Sequence, residues 1–242
     1  MAHAHSDHSV AVPAPPFGDA PHMGAPGAWL RSPVGLGRAA VAALALVVAT
    51  DTFASWVDFL RLDITSELMS GAHGADLIRR AHDVDRMTGV AGSGERVALV
   101  ISAVVYLCWL YRVRVNAEVF DQSALSHARG WTIGGWFTPI VNLWFPRQIV
   151  LDIWDASTPW GKRGSHGLVN VWWGLWISSL VTDQISAVEN RHAETTARLH
   201  LASRFLLAAH VVDIAAALLA IAVVLRLTRM QHKKALAGPL PA

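Results

Sequence analysis

Four long apolar stretches divide the chain, at residues 36–60, 90–111, 168–188 and 201–225. A helix needs about 20 apolar residues to cross the hydrocarbon layer of a bilayer, and each stretch approaches or exceeds that length. The first is the clearest, since residues 41–49 are Val, Ala and Leu alone. The second has an unbroken apolar core only over 97–111, so its helix is expected to begin near Val90, with Glu95 and Arg96 near the interface. Segment 61–95 is polar and charge-balanced, with a helix-like stretch at 75–87 between Gly74 and Gly89.

Residues 131–157 follow a different pattern. Gly134, Gly135, Pro139, Asn142 and Pro146 interrupt the apolar residues, and each proline removes a backbone donor. After Pro146, Ile149, Val150, Ile153 and Trp154 recur at helical spacing, with Gln148, Asp152 and Asp155 on another face. This predicts an interfacial or re-entrant element carrying an amphipathic helix. Residues 1–34 hold six prolines and four histidines without apolar periodicity, which predicts a disordered tail. A cleaved signal peptide would place its apolar core nearer Met1, so the first run is expected to be retained. The expected organisation is a tail at 1–34, a helical membrane domain at 35–230 and a C-terminal tail at 231–242. The fold class is all-α: a polytopic transmembrane bundle of four spans plus the Pro-interrupted segment.

Composition sharpens this picture. Of the 242 residues, 53% are hydrophobic and 16% charged, below the quarter usual for soluble domains. Nine of the eleven tryptophans fall between Trp109 and Trp176, and tryptophan favours membrane–water interfaces. With four spans and both termini cytoplasmic, 12 of the 20 Lys and Arg lie inside, but five spans give the same number. The prolines favour four. A net charge of +2 gives no argument for nucleic acid. The single cysteine, Cys108, excludes an intrachain disulfide and is expected to be a small buried residue. The expected location is the cell membrane, multi-pass.

One set of motifs is familiar. Trp109-Leu110-Tyr111-Arg112 is followed by Arg114, Asn116 and Glu118, then by Gly135-Trp136-Phe137, Pro139-Ile140, Asn142-Leu143-Trp144 and Pro146. Next come Gln148, Ile153-Trp154, Ser157, Trp172-Trp173 and Trp176, and Asp83 and Asp85 precede the set. Over about residues 80–180 this order resembles the membrane family called domain of unknown function 4328. The family tends to show a basic residue before the second proline and an aromatic after it. Here Phe145 precedes Pro146 and Arg147 follows, which shifts any lipid-phosphate or partner role of that basic residue. The resemblance implies a multi-span membrane protein and brings no activity with it.

Two constellations could carry function. Ionisable groups at the centre of a span cost about 2.5–3.5 kcal/mol on insertion scales, yet Asp51, Asp183, His210 and Asp213 all lie in apolar runs. Counted along their helices, Asp51, Asp183 and His210 each stand 15 residues from the inner end, a depth of about 22 Å. One reading is a proton relay or cation site in a small transporter or channel; the other is a structural hydrogen-bond network with Thr50, Ser178, Ser179 and Thr182. The second constellation is an inner-face surface for lipid or a partner. It comprises Trp109, Arg112, Arg114, Asn116, Trp136, Pro139, Asn142, Trp144, Pro146, Arg147, Trp172, Trp173 and Trp176, with Arg129, Lys162 and Arg163 adding charge.

The leading expectation is a non-enzymatic envelope protein using that inner surface, with membrane lipids, a protein partner or a second copy as its contacts. A membrane-embedded enzyme has the least support, because no HExxH, GxSxG, GxxxxGK[ST] or CxxC motif is present. No cofactor and no metal site are expected. His3, His5 and His8 make only a weak His-rich tract, and His73, His82, His192 and His200 read as solvated outer-loop residues.

Overall fold

A computed structural model describes residues 30–159 and 164–237. Most of the expected N-terminal tail, with His3, His5 and His8, lies outside the described residues, as do Lys162 and Arg163. The helices are α1 (Val34–Met69), α2 (Ala75–Phe120), α3 (Trp131–Phe137), α4 (Phe145–Ser157), α5 (Gly167–Arg191) and α6 (Thr196–Ala237). A 3-10 turn, Val141–Leu143, links α3 to α4, and no strand occurs among the described residues.

Three helices, α1, α2 and α6, are long and apolar enough to cross a membrane. The 25-residue α5 is not among them, and Asn170, Thr182 and Asp183 interrupt its Trp- and Val-rich sequence. The long helices outrun the expected spans. At 1.5 Å per residue the 36 residues of α1 measure about 54 Å, against about 30 Å of hydrocarbon. The polar segment after the first apolar run is helical because it keeps an apolar stripe. Val57, Ile64, Leu77 and Val84 pack into a small second core, with Leu60, Leu68, Ala81 and Met87 beside them. Gly89 does not break α2, since an interior glycine costs only about 1 kcal/mol.

The chain reverses between α1 and α2 at Gly71, where φ is 84°. The Gly71 amide donates to the Leu68 carbonyl and the Ala72 amide to the Glu67 carbonyl. These two bonds satisfy carbonyls the helix end would otherwise leave unpaired, and the left-handed backbone they require suits glycine.

Helix α1 packs along both α2 and α6, and α6 packs along α5. Small residues line these contacts, among them Ala40, Ala43, Ala54, Ala98, Ala202, Ala209 and Ala216, which allow helix axes to approach closely without a hydrophobic driving force. At Gly37 the approach is tightest: a Cβ there would sit 2.7 Å from Thr228 Oγ1 on α6. The outward faces are apolar, with Phe59, Leu99, Val100, Val104 and Leu218 exposed. A continuous surface of this kind is what lipid tails solvate.

Three expectations change here. Cys108 is exposed on the outer face of α2 rather than buried, because the packed face of that helix turns through Tyr106, Trp109, Leu110 and Val113. Residues 231–237 continue α6 instead of forming a tail, with Gln231 and Lys234 buried. The amphipathic helix is present as α4, but Ile149, Val150, Ile153 and Trp154 are at most 1% exposed. Its apolar face is covered by protein, since α4 packs on α2, α3, α5 and α6.

Candidate functional site

The ionisable residues of the apolar runs lie near one another between the helices. Asp51 and Asp58 are seven apart on α1, two turns along one face, and they are 6% and 4% exposed. His210 on α6 reaches both neighbouring helices. Its Nε2 lies 3.2 Å from Asp58 Oδ2, and its Nδ1 lies 3.4 Å from Glu95 Oε1 on α2. Donor atoms of Asp51, Glu95 and His210 all lie within 4.8 Å of one another. Asp213 follows His210 by three residues along the same face of α6 and lies near Asp183 of α5 and Asp51 of α1.

Among the described residues no Lys or Arg makes an ion pair with any of these five carboxyl groups. Asp58 Oδ2 and Glu95 Oε1 each have His210 as their contact, while Asp51 Oδ2 is buried with no hydrogen-bond partner. The hydroxyls that would have stitched a structural network turn back on their own helices. Thr50 donates to the Val47 carbonyl, Ser178 to Gly174 and Thr182 to Ser179. Ser179 likewise donates to the Trp176 carbonyl of its own helix.

The Trp-rich residues lie at the opposite end of the helices, and most are core. Trp109 is 0% exposed, Arg114 4%, Asn116 1%, Trp172 3% and Trp173 6%, and Pro146 is buried too. These six cannot contact lipid or a partner, which corrects their assignment to a surface. Their burial has a polar logic. Trp109 Nε1 donates to Thr228 Oγ1 at 2.9 Å, and Trp173 Nε1 donates to the Leu143 carbonyl at 3.1 Å. Asn116 donates to Gln231 Oε1 and to the Arg31 carbonyl, while Gln231 Nε2 donates to the Val113 carbonyl and Ser157 Oγ. Lys234 Nζ donates to the carbonyls of Ala156 and Thr158.

Arg114 and Glu118, one helical turn apart, form a buried pair at 2.7 Å. Arg129 Nη2 closes on the other Glu118 oxygen, and this hydrogen bond raises the Arg129 pKa above its ordinary value. Trp136 and Trp176 are half-buried among the aromatic rings. Arg112 and Asn142 are half-buried, Pro139 and Trp144 are exposed, and Arg147 donates from the surface to Asn170 Oδ1.

A family model described as a domain of unknown function, DUF4328, matches residues 74–229, well over half the chain. The chain belongs to the DUF4328 family. No curated protein and no solved structure matches it. The DUF4328 match opens at Gly74, immediately before α2, so it contains Glu95, Asp183, His210 and Asp213 but not Asp51 or Asp58. The polar site is therefore completed by a helix outside the matched DUF4328 segment.

Asp58 and Glu95 were not among the residues singled out from the sequence. Both lie toward the ends of apolar runs, where a carboxylate is expected to reach water. One signal was available for Asp58: its seven-residue spacing from Asp51. His200, expected to be solvated, instead meets Thr65 Oγ1 through Nδ1 at 3.0 Å.

Proposed function

We propose that this DUF4328 protein is a four-span membrane protein that moves protons or cations, using Asp51, Asp58, Glu95, Asp183, His210 and Asp213. The observation that carries the reading is Asp58 and Glu95 meeting one imidazole, with Asp51 beside them and its buried Oδ2 left without a partner. Structural polar groups in a membrane interior satisfy one another, because an unpartnered one is costly there. A set that does not close on itself is built to take up protons or a cation.

In this reading α5 is the fourth span, the termini are cytoplasmic, and the α3–α4 segment sits at the inner interface. The exposed Trp131, Phe137, Ile140 and Trp144 support that interfacial placement. They are also what remains of the lipid-contacting surface, with Arg112 and Arg147 beside them.

Proteoliposomes carrying an internal pH dye and an imposed pH or cation gradient test the function. The unaltered protein is expected to dissipate the gradient, and Asp51→Asn and Asp213→Asn are expected to abolish the dissipation. A protein that leaves every imposed gradient at the rate of empty vesicles would contradict the proposal.

A further inference from the structure

We infer that Asp51, Glu95 and His210 bind a divalent transition-metal ion of the zinc type between α1, α2 and α6, with Asp58 positioning the histidine. The inference rests on the reading of the acidic cluster given above and names the cation it takes.

Three donors from three helices lie within 4.8 Å of one another. Ligands of one ion, each about 2.0–2.2 Å from it, stand closer together than that. Small rotamer changes therefore suffice to close the set, with no helix movement. The donor set is two carboxylates and one imidazole. Imidazole selects against magnesium and calcium, and the absence of thiolate selects against copper(I). Three protein ligands leave a tetrahedral ion one open position.

Two further observations point to a ligand rather than to an incidental acidic group. Asp51 is 6% exposed, and its Oδ2 has no hydrogen-bond partner. Glu95 Oε1, an enclosed oxygen, has His210 Nδ1 as its neighbour, at 3.4 Å. The second is Asp58. A metal-bound histidine usually gives its other ring N–H to a carboxylate, which fixes the tautomer and aims the free nitrogen. His210 has that arrangement: Nδ1 faces Glu95, while Nε2 faces Asp58 at 3.2 Å. Charge supports it too, since a divalent cation offsets the carboxylates of Asp51 and Glu95 in a medium that solvates neither well.

The test uses the full chain in lipid nanodiscs, with His3, His5, His8 and His22 changed to Ala to remove the tail as a competing site. Zinc retained after gel filtration is measured by elemental analysis, and Co²⁺ is added separately for its visible spectrum. One zinc per chain is expected. Asp51→Asn and Glu95→Gln should each weaken zinc binding at least about tenfold and shift the Co²⁺ bands. Asp58→Asn should weaken binding by about tenfold to a hundredfold with the Co²⁺ bands unmoved, because it removes an orienting partner and no ligand.

Size exclusion and helical circular dichroism check each variant's fold. The Co²⁺ spectrum of the chain with its cluster intact reports nitrogen and oxygen ligation even where a cluster variant fails to fold. No retained zinc, or retention that survives both Asp51→Asn and Glu95→Gln, overturns the inference. Gradient dissipation without zinc binding overturns this inference alone. Zinc binding without dissipation of any gradient overturns the transport reading and leaves the metal site standing.

Discussion

Glu118→Ala is expected to lower the stability of the protein by about 3–5 kcal/mol, measured as reversible unfolding in mixed micelles. Glu118 is buried and accepts from two guanidinium groups, Arg114 at 2.7 Å and Arg129 through its other oxygen. Arg114 has only 5% of its side chain exposed and cannot turn out to water when the carboxylate is lost. Its one remaining partner is the His127 carbonyl at 2.7 Å. Removing one member of a buried pair leaves the other as an uncompensated charge, and that residue accounts for most of the effect. Arg129→Ala should cost less, because that side chain is 30% exposed. A Glu118→Ala loss below about 1 kcal/mol would show the triad behaving as a surface ion pair and would contradict its placement in the core.

Trp109→Ala should be comparably damaging, at about 3–5 kcal/mol in the same assay. Trp109 is 0% exposed and belongs to the main core with Tyr106, Leu110, Ile153, Trp172 and Val223. Between protein and lipid there is little transfer free energy to lose, so most of the cost comes from the cavity and its lost dispersion contacts. The rest comes from Thr228, whose hydroxyl loses the indole donor. Trp109→Phe fills most of the volume and should recover much of the loss. A surface tryptophan would tolerate either change, so a shift within about 0.5 kcal/mol would return Trp109 to the lipid-facing role expected from composition.

These two residues show where the sequence is readable and where it stops. The apolar runs are long enough to announce helices, and Asp51, Asp183, His210 and Asp213 stand out because charge inside such runs is costly. Counting residues along the apolar runs puts Asp51, Asp183 and His210 at one depth. What cannot be read is azimuth: which side of α2 meets α1 decides whether Glu95 faces water or His210. Its position near the start of an apolar run leaves both open.

The same limit applies to tryptophan. Its preference for interfaces is a statistical tendency, and in Trp109, Trp172 and Trp173 packing overrides it once Thr228 and the Leu143 carbonyl supply partners for Trp109 and Trp173. The α4 pattern gave the helix and its apolar face correctly, yet periodicity is silent on whether lipid or protein covers that face. Gln231 and Lys234 looked like tail residues because they follow the last apolar run, and backbone carbonyls among their partners, at Val113, Ala156 and Thr158, carry no sequence signature.

The central claim is that α1, α2 and α6 bring Asp51, Glu95 and His210 together inside the bundle. Paired cysteines test it most directly, in a Cys108→Ser background and in native membranes. Asp51→Cys with Glu95→Cys, and Asp51→Cys with His210→Cys, should each be joined by a short bis-methanethiosulfonate linker as readily as Thr65→Cys with His200→Cys. If the Thr65–His200 pair links and neither cluster pair does, the three side chains do not share an interior and the account fails.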